Sequence, residues 1–354
     1  MPEEPAAADA AAPRQQGGLN GLLRGCADPL AKVYDVALLD LDGVVYLGGS
    51  AVPGAPEALA KAADAGMRLA FVTNNSSRSP SAIAAQIASY GVPASAGDVV
   101  TSAQAAARLL AARLPPGAAV LVVGGTGLRI ALRERGLRPV TVAADRPAAV
   151  VQGYSADISY SLLAEGALAV QAGAWFVASN ADSTMPTARG RQPGNGALSA
   201  VIVTATGQQP VIAGKPEPPL HAESVARTGA RRPLVVGDRL DTDIEGAVRV
   251  GADSLLVLTG VSGPLDAVLA PPHQRPSYLA AGLNGLLEPH PAVSSTGNVF
   301  RCGGWTARWT AEDRLGLDGS GDKIDGLRAL CAAAWSAGKV TPDMARPALA
   351  ALFG

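Results

Sequence analysis

The chain has 354 residues, 48% of them apolar and 17% charged, with a formal net charge of -1 and a pI of about 6.3. Such a length provides for about two domains with sizeable cores, and the near-neutral balance gives no electrostatic footprint for nucleic acid or an acidic membrane surface. Three cysteines (Cys26, Cys302, Cys331) and three histidines (His221, His273, His290) lie too far apart in sequence for a Cys/His zinc site, and they favour free thiols in a reducing, cytoplasmic setting.

Residues 1–17 are acidic and alanine-rich without an apolar segment, which reads as a flexible tail rather than a secretory signal. No apolar run of about 18 residues follows, so no membrane span is expected. A short helix is expected within 18–33, and the first strand, VALLD, ends at Asp40. A helix through APEALAKAADAG leads to RLAFVTNNSSRSP, a buried-type strand that runs into a polar cluster. In the next helix Ser79 is the expected N-cap and Pro80 the first helical position, with Ile83, Ile87 and Tyr90 on one face. Strand, polar loop and helix in that order are the unit of a doubly wound sheet.

Residues 102–208 hold their own set: strands at AAVLVVGG, RPVTVAAD, AAVVQGY and WFVASN, and helices at TGLRIALRERG, SYSLLAEGALAVQAG and GALSAVIVTATG. The first pattern resumes with PLVVGD, a helix through TDIEGAVRVG, and SLLVLTG. The expected fold is α/β: a doubly wound parallel-sheet core (18–101 and 209–262), an inserted α/β cap (102–208) and a small C-terminal α+β appendage (263–354). For the appendage we expect a short strand and helix before residue 290, two strands in TGNVFRCGGWTARWTAEDRLGLDGSGD, and an amphipathic helix through DKIDGLRALCAAAWSAGKV. Trp305, Trp309 and Trp335 are expected to pack in its core.

In an open parallel sheet, ligands bind beyond the carboxyl ends of the strands, so residues ending different strands converge. Asp40 and Asp42 follow one strand, Thr73 and Asn74 another, Asp238 a third. A spacing of two puts both carboxylates of the first pair on one side. Burying them together is unfavourable unless a cation sits with them, and a ligand set made only of oxygens selects Mg²⁺. Gly43 permits a tight turn whose N–H groups face an anion. Thr73 and Asn74 offer a hydroxyl and an amide to phosphoryl oxygens, and Lys215, on a Gly-Lys-Pro loop, neutralises charge. These parts fit phosphoryl transfer through an aspartyl phosphate, with Asp40 as nucleophile, Asp42 as acid and base, and Asp243 orienting water or Lys215. Asp241 is either a helix cap or a functional residue, and His221 is read as packing or capping rather than as a ligand.

The words DLDGVVY (40–46), TNNSSRSP (73–80), GKPEPP (214–219) and GDRLDTDI (237–244) resemble, in order, the four motifs of the haloacid-dehalogenase-like phosphatases. The likeness is to the branch of nucleotidases, 4-nitrophenyl phosphatases, and phosphoglycolate and glycerol-phosphate phosphatases, and it spans about 33–262. It implies that Mg²⁺ is held by the Asp40 side chain, the Asp42 backbone carbonyl and the Asp238 side chain, while Thr73 and Lys215 bind the phosphoryl group. The segments ASNADSTMP (178–186) and PGNGALSAV (193–201) resemble the substrate-facing parts of that branch's large cap, with Asn180 and Asp182 as leaving-group contacts. The partner implied is a small phosphorylated metabolite, with glycerol 3-phosphate preferred and phosphoglycolate or a nucleoside monophosphate as alternatives. Whether the chain forms a homo-oligomer stays open. The segment after 263 resembles a reduced acyltransferase-like fold, which leaves a second reading, a phosphatase-like scaffold whose C-terminal region binds a partner or acyl ligand. A dinucleotide-binding reading of VLVVGGTGLRIALRERG is set aside because the last glycine position is Ile130.

Overall fold

The computed structural model describes residues 23–187 and 189–354, so the expected tail over 1–17 lies outside the described residues. Of the short helix expected within 18–33, Leu30–Val33 is helical. The core is a six-stranded parallel sheet in the order Tyr278–Ala280, Asp253–Val257, Pro233–Gly237, Val36–Leu39, Arg68–Thr73, Val99–Thr101. Val36–Leu39 is buried throughout because helices cover both faces, which is why the strand reads as an unbroken apolar run. Ala37 and Leu39 join one layer with Leu59, Ile83 and Ile87. Val36 and Leu38 join the other with Leu110 and Leu220. The chain leaves Val36–Leu39 toward Arg68–Thr73 and returns on its other side at Pro233–Gly237, making this strand the switch point where a crevice opens.

The inserted unit is a second parallel sheet in the order Val211–Ile212, Trp175–Ala178, Ala149–Gln152, Ala119–Val123, Arg138–Val140. Its outer face packs on the helices Tyr160–Gln171 and Asn195–Thr206 through Val150, Phe176, Val170 and Ile202. On the inner face, Val120, Val122, Val151 and Val177 belong to the same apolar cluster as Val36 and Leu38 of the core. The cap sheet runs on to Ile212, past the expected end at 208. A two-residue strand carries too little periodicity to be seen in sequence.

The expected division at 262 also moves. Tyr278–Ala280, read as part of the appendage, pairs in parallel with Asp253–Val257 and completes the core sheet. Beyond it lies a four-stranded antiparallel sheet, Ser294–Thr296, Val299–Cys302, Trp305–Trp309 and Leu315–Gly319, where two strands were expected. Two helices follow, Lys323–Ser336 and Pro342–Phe353, the second not expected. The first is not amphipathic, because every residue from Gly326 to Trp335 is buried. It is the central rod of the appendage, covered all round, so its small residues pack rather than face water. Trp335 is buried and Trp305 and Trp309 half-buried, with the Trp335 indole donating to Ala267 O at 3.1 Å and Trp309 to Ala333 O at 2.9 Å. Among the described residues no helix is long and apolar enough to cross a membrane.

Candidate active site

Register places the strand ends side by side: Leu39 lies opposite both Val236 and Phe71, and the Asp40 N–H donates to Val236 O at 2.8 Å. Asp40, Thr73 and Asp238 thus meet at one end of the sheet. Lys215 arrives on the loop after the last cap strand and is only 4% exposed. Its ammonium donates to Asp40 Oδ1 at 2.6 Å, Asp243 Oδ1 at 2.6 Å and Val72 O at 3.2 Å. Oxygens of Asp40, Asp238 and Asp243 all lie within 4.8 Å of one another. Gly43 turns with φ +82°, and a Cβ there would stand 2.5 Å from Asp238 Oδ2, so side chains are excluded twice over, by backbone and by space.

The charges do not balance. Burial alone would lower the Lys215 ammonium, but Asp243 and Asp40 outweigh it and hold it above the usual lysine range. One ammonium cannot neutralise the surrounding carboxylates. Asp238 is pushed up to about 6, by burial first and by Asp40 next. Asp42 keeps a solvent-accessible face, yet the protein crowding around it, followed by Asp40 and Asp238, raises its carboxyl to about 6 as well. Burial raises Asp243 too, against the pull of Lys215 and with the push of Asp40 and Asp238. Asp238 Oδ2 accepts from the Val261 N–H at 2.7 Å, whereas Asp238 Oδ1 is buried with no hydrogen-bond partner among the described residues. An orphaned hard oxygen beside two more carboxylates, in a site of excess negative charge, fits a small divalent cation such as Mg²⁺.

Asn74 joins the core to the cap. Its side chain accepts from the Lys215 N–H at 2.8 Å and donates to Lys215 O at 3.2 Å and Asp182 Oδ2 at 3.1 Å. Its carbonyl accepts from Asn180 Nδ2 and from Ser102 Oγ, both at 2.7 Å. Asn180 and Asp182 therefore reach the mouth of the crevice, and Asn180 is itself held by Asn195 Nδ2 at 2.7 Å. The Thr73 hydroxyl accepts from the Asn75 N–H at 3.1 Å.

Sequence reasoning passed over Ser102, Thr259, Gly260 and Val261. Thr259 Oγ1 donates to Gly43 O at 2.5 Å, and a Cβ at Gly260 would collide with the Asp238 carboxylate. The only signal was the LTG that follows a core strand. Asp241 caps nothing and instead pairs with Arg239 at 2.8 Å. His221 is buried, with neither ring nitrogen partnered among the described residues. The set-aside glycine motif lies in the cap, between Ala119–Val123 and the helix Thr126–Glu134.

Residues 37–138 match the family model of haloacid dehalogenase-like hydrolases and 212–286 that of HAD-hydrolase-like proteins, while 302–352 match a GCN5-related N-acetyltransferase like domain. A D-glycerol 3-phosphate phosphatase of Mycobacterium tuberculosis is 46% identical over 312 residues, covering 87% of this chain and 88% of that one. A 5'-nucleotidase of Bacillus subtilis is 40% identical over 233 residues, or 65% and 90% of the two chains. The crystal structure of a glycerol phosphate phosphatase from Mycobacterium tuberculosis in complex with magnesium superposes with a TM-score of 0.83 at 43% identity, covering 92% of this chain and 99% of that one. With the ordered strand-end carboxylates, the buried lysine and near full-length similarity in agreement, the chain belongs to the haloacid-dehalogenase-like hydrolases.

Proposed function

We propose that the chain is a Mg²⁺-dependent phosphatase that hydrolyses a small phosphate monoester through an aspartyl phosphate, with glycerol 3-phosphate as the preferred substrate. The observation that carries the reading is the Lys215 ammonium at 2.6 Å from both Asp40 and Asp243, beside the orphaned carboxylate oxygen of Asp238. In the first step an Asp40 carboxylate oxygen bonds to phosphorus, the ester P–O bond breaks, and Asp42 gives its proton to the departing alkoxide. Burial, the first cause of the rise in the Asp42 carboxyl, favours the protonated form that this step uses. In the second step Asp42 takes a proton from water as the water oxygen attacks phosphorus, which frees inorganic phosphate and restores Asp40. Lys215, Thr73 and the Asn74 backbone N–H hold the phosphoryl oxygens; the roles expected for the Gly43 N–H and the Asn74 amide fall away, because the first donates to Tyr46 O at 2.8 Å and the second is engaged by Lys215 and Asp182. Asp40, Asp238 and the Asp42 carbonyl would hold Mg²⁺, with Asp243 fixing Lys215. The ion supplies positive charge to the phosphoryl oxygens.

Asn180 and Asp182 contact the leaving group from the cap. The choice of glycerol 3-phosphate rests on similarity to an enzyme of that name, which extends over both cap and appendage. A nucleoside monophosphate is the second reading, favoured by the similarity to a nucleotidase over 65% of the chain. We also assign the chain to the cytoplasm, since all three cysteines are unpaired. Phosphate release from glycerol 3-phosphate, phosphoglycolate, pyridoxal phosphate and nucleoside monophosphates, measured as kcat/KM with and without Mg²⁺, tests the reading. Glycerol 3-phosphate should lead and activity should vanish without the ion. Another ester leading by tenfold or more would overturn the substrate, and metal-independent turnover would overturn the mechanism.

A further inference from the structure

The loop after Thr73 does not end at the phosphate. Its far side, Ser76 to Arg78, is set into a notch of the cap lined by Gly125, Gly127 and Gly153. Besides the bond from Asn74 Nδ2 to Asp182 Oδ2, three hydrogen bonds between described residues cross the seam. Ser179 Oγ donates to Ser76 Oγ at 2.9 Å, Asn180 Nδ2 to Asn74 O at 2.7 Å, and the Gly127 N–H to Ser77 O at 3.1 Å. Ser76 is 2% exposed and Ser179 fully buried, so the hydroxyl pair is shielded from water. A Cβ at Gly127 would stand 2.5 Å from Ser76 O and 2.6 Å from Arg78 O, and one at Gly153 would overlap the Ser76 hydroxyl. The glycines that look like a dinucleotide motif in sequence are there for close approach of cap to loop.

The seam is tied to Thr73 by a short chain of bonds. Asn75 Oδ1 accepts from the Ser77 N–H at 3.0 Å and the Arg78 N–H at 3.2 Å, while the Asn75 N–H donates to Thr73 Oγ1 at 3.1 Å. We propose that the cap is part of the phosphoryl-binding apparatus: Ser76 and Ser179, seated against Gly127 and Gly153, are positioning residues that hold the 73–78 loop for the phosphoryl group whatever the leaving group is. This rests on the assignment of Thr73 and Asn74 to that group. It separates two tasks of the cap, since Asp182 at the mouth selects the leaving group and the glycine notch sets the phosphate loop.

The test uses the full chain with Mg²⁺ and inorganic phosphate as the probe, measuring its inhibition constant together with kcat/KM for glycerol 3-phosphate and for an aryl phosphate. Ser76→Ala and Ser179→Ala, which approach the seam from opposite sides, should each weaken phosphate about tenfold, the equivalent of one buried hydrogen bond, and lower kcat/KM by the same factor for both esters. Asp182→Asn, whose amide oxygen can still accept from Asn74 Nδ2, should change the ratio between the esters and leave phosphate affinity in place. Gly153→Ala should be more damaging than either serine variant, because its Cβ would meet Leu128 Cδ1 at 2.8 Å and Ser179 Oγ at 2.9 Å as well as the Ser76 hydroxyl. Unchanged phosphate affinity in both serine variants or a loss confined to one ester would overturn the proposal. Thr73→Ala separates the two levels. If it leaves phosphate affinity unchanged, the underlying assignment falls and the proposal with it; if it weakens phosphate while the serine variants do not, the proposal alone falls.

Discussion

Lys215 offers one ammonium to two carboxylates at 2.6 Å, both in a site that holds further acids. Removing it strands Asp40 and Asp243 without a counter-charge, and breaking a buried pair from one side costs about 3–5 kcal/mol. Lys215→Met should therefore lower the melting temperature of the metal-free protein as well as abolish turnover. Asp40→Asn should cost activity and leave the fold intact: phosphate release should fall by about a thousandfold or more, with the far-ultraviolet spectrum unchanged, because Lys215 keeps Asp243. Mg²⁺ should stabilise the wild type by neutralising the same charges, by about 2.7 kcal/mol when present at about 100 times its dissociation constant, and so raise its melting temperature. Protons compete for that site. With Asp238 raised to about 6, the gain should shrink as pH falls through 6, and Asp238→Asn should lose it at every pH. A calorimetric scan with and without Mg²⁺ at two pH values checks both statements. Asp40, Thr73 and Asp238 were legible in sequence because strand ends converge by rule, and Lys215 through its Gly-Lys-Pro loop and the order of the four motifs. Thr259 and Gly260 were passed over, since one acts through a hydroxyl bond to a backbone carbonyl and the other by lack of a side chain, and the LTG after a core strand is a weak signal for either.

Elements were legible in proportion to their length. The buried core strands and the helix at Pro80–Ser89, capped by Ser79 at 3.2 Å from Ala82 N, follow from composition and capping chemistry. Val211–Ile212 and Tyr278–Ala280 pair as strands only because a neighbour offers its edge, so the domain limits at 208 and 262 shifted. The helix Lys323–Ser336 misled for another reason: its alanines suggest a half-exposed face until the surrounding sheet and second helix are known. The helix Pro218–Thr228 carries a pH response. Burial, with Lys215 adding to it, lowers His221 from 6.5 to about 3. The folded chain keeps this ring neutral while the unfolded chain takes up a proton below 6.5. The associated stability is complete above 6.5 and lost as pH falls toward 3, with a limiting slope of about 1.4 kcal/mol per pH unit. His221→Met keeps an apolar filler and removes the titration. Its unfolding free energy, followed by urea denaturation from pH 7 to 4, should fall less steeply than that of the wild type. Equal slopes would show that the ring is not the group responsible.

At the scale of the molecule, the appendage and the core share one apolar cluster. Ile244, Leu256, Val268 and Leu279 from the core side pack with Phe300, Leu327, Leu330 and Trp335. Arg328, buried in this joint, donates from Nε and Nη2 to Leu279 O at 3.2 and 2.6 Å and from Nη1 to Asp325 Oδ1 at 2.6 Å, so it covers a carbonyl at the outer strand of the core sheet. An edge covered in this way is not free to pair with another chain. The arrangement argues against a phosphatase core that merely carries its tail. Truncation after 262 removes the sixth core strand, and truncation after 293 keeps that strand but uncovers Leu279 and Val268. Both shortened chains should be recovered mainly as aggregates, and the intact chain should unfold core and appendage in a single calorimetric transition. Leu330→Ala provides a test that keeps the whole chain. Deleting a fully buried leucine costs about 2–5 kcal/mol, and because the cluster is shared that loss should lower the temperature at which phosphatase activity disappears, although Leu330 lies outside the catalytic set. If the appendage were an independent ligand-binding module, the variant would show an early transition for the appendage alone and an unchanged inactivation temperature, and the 1–293 fragment would remain soluble and active.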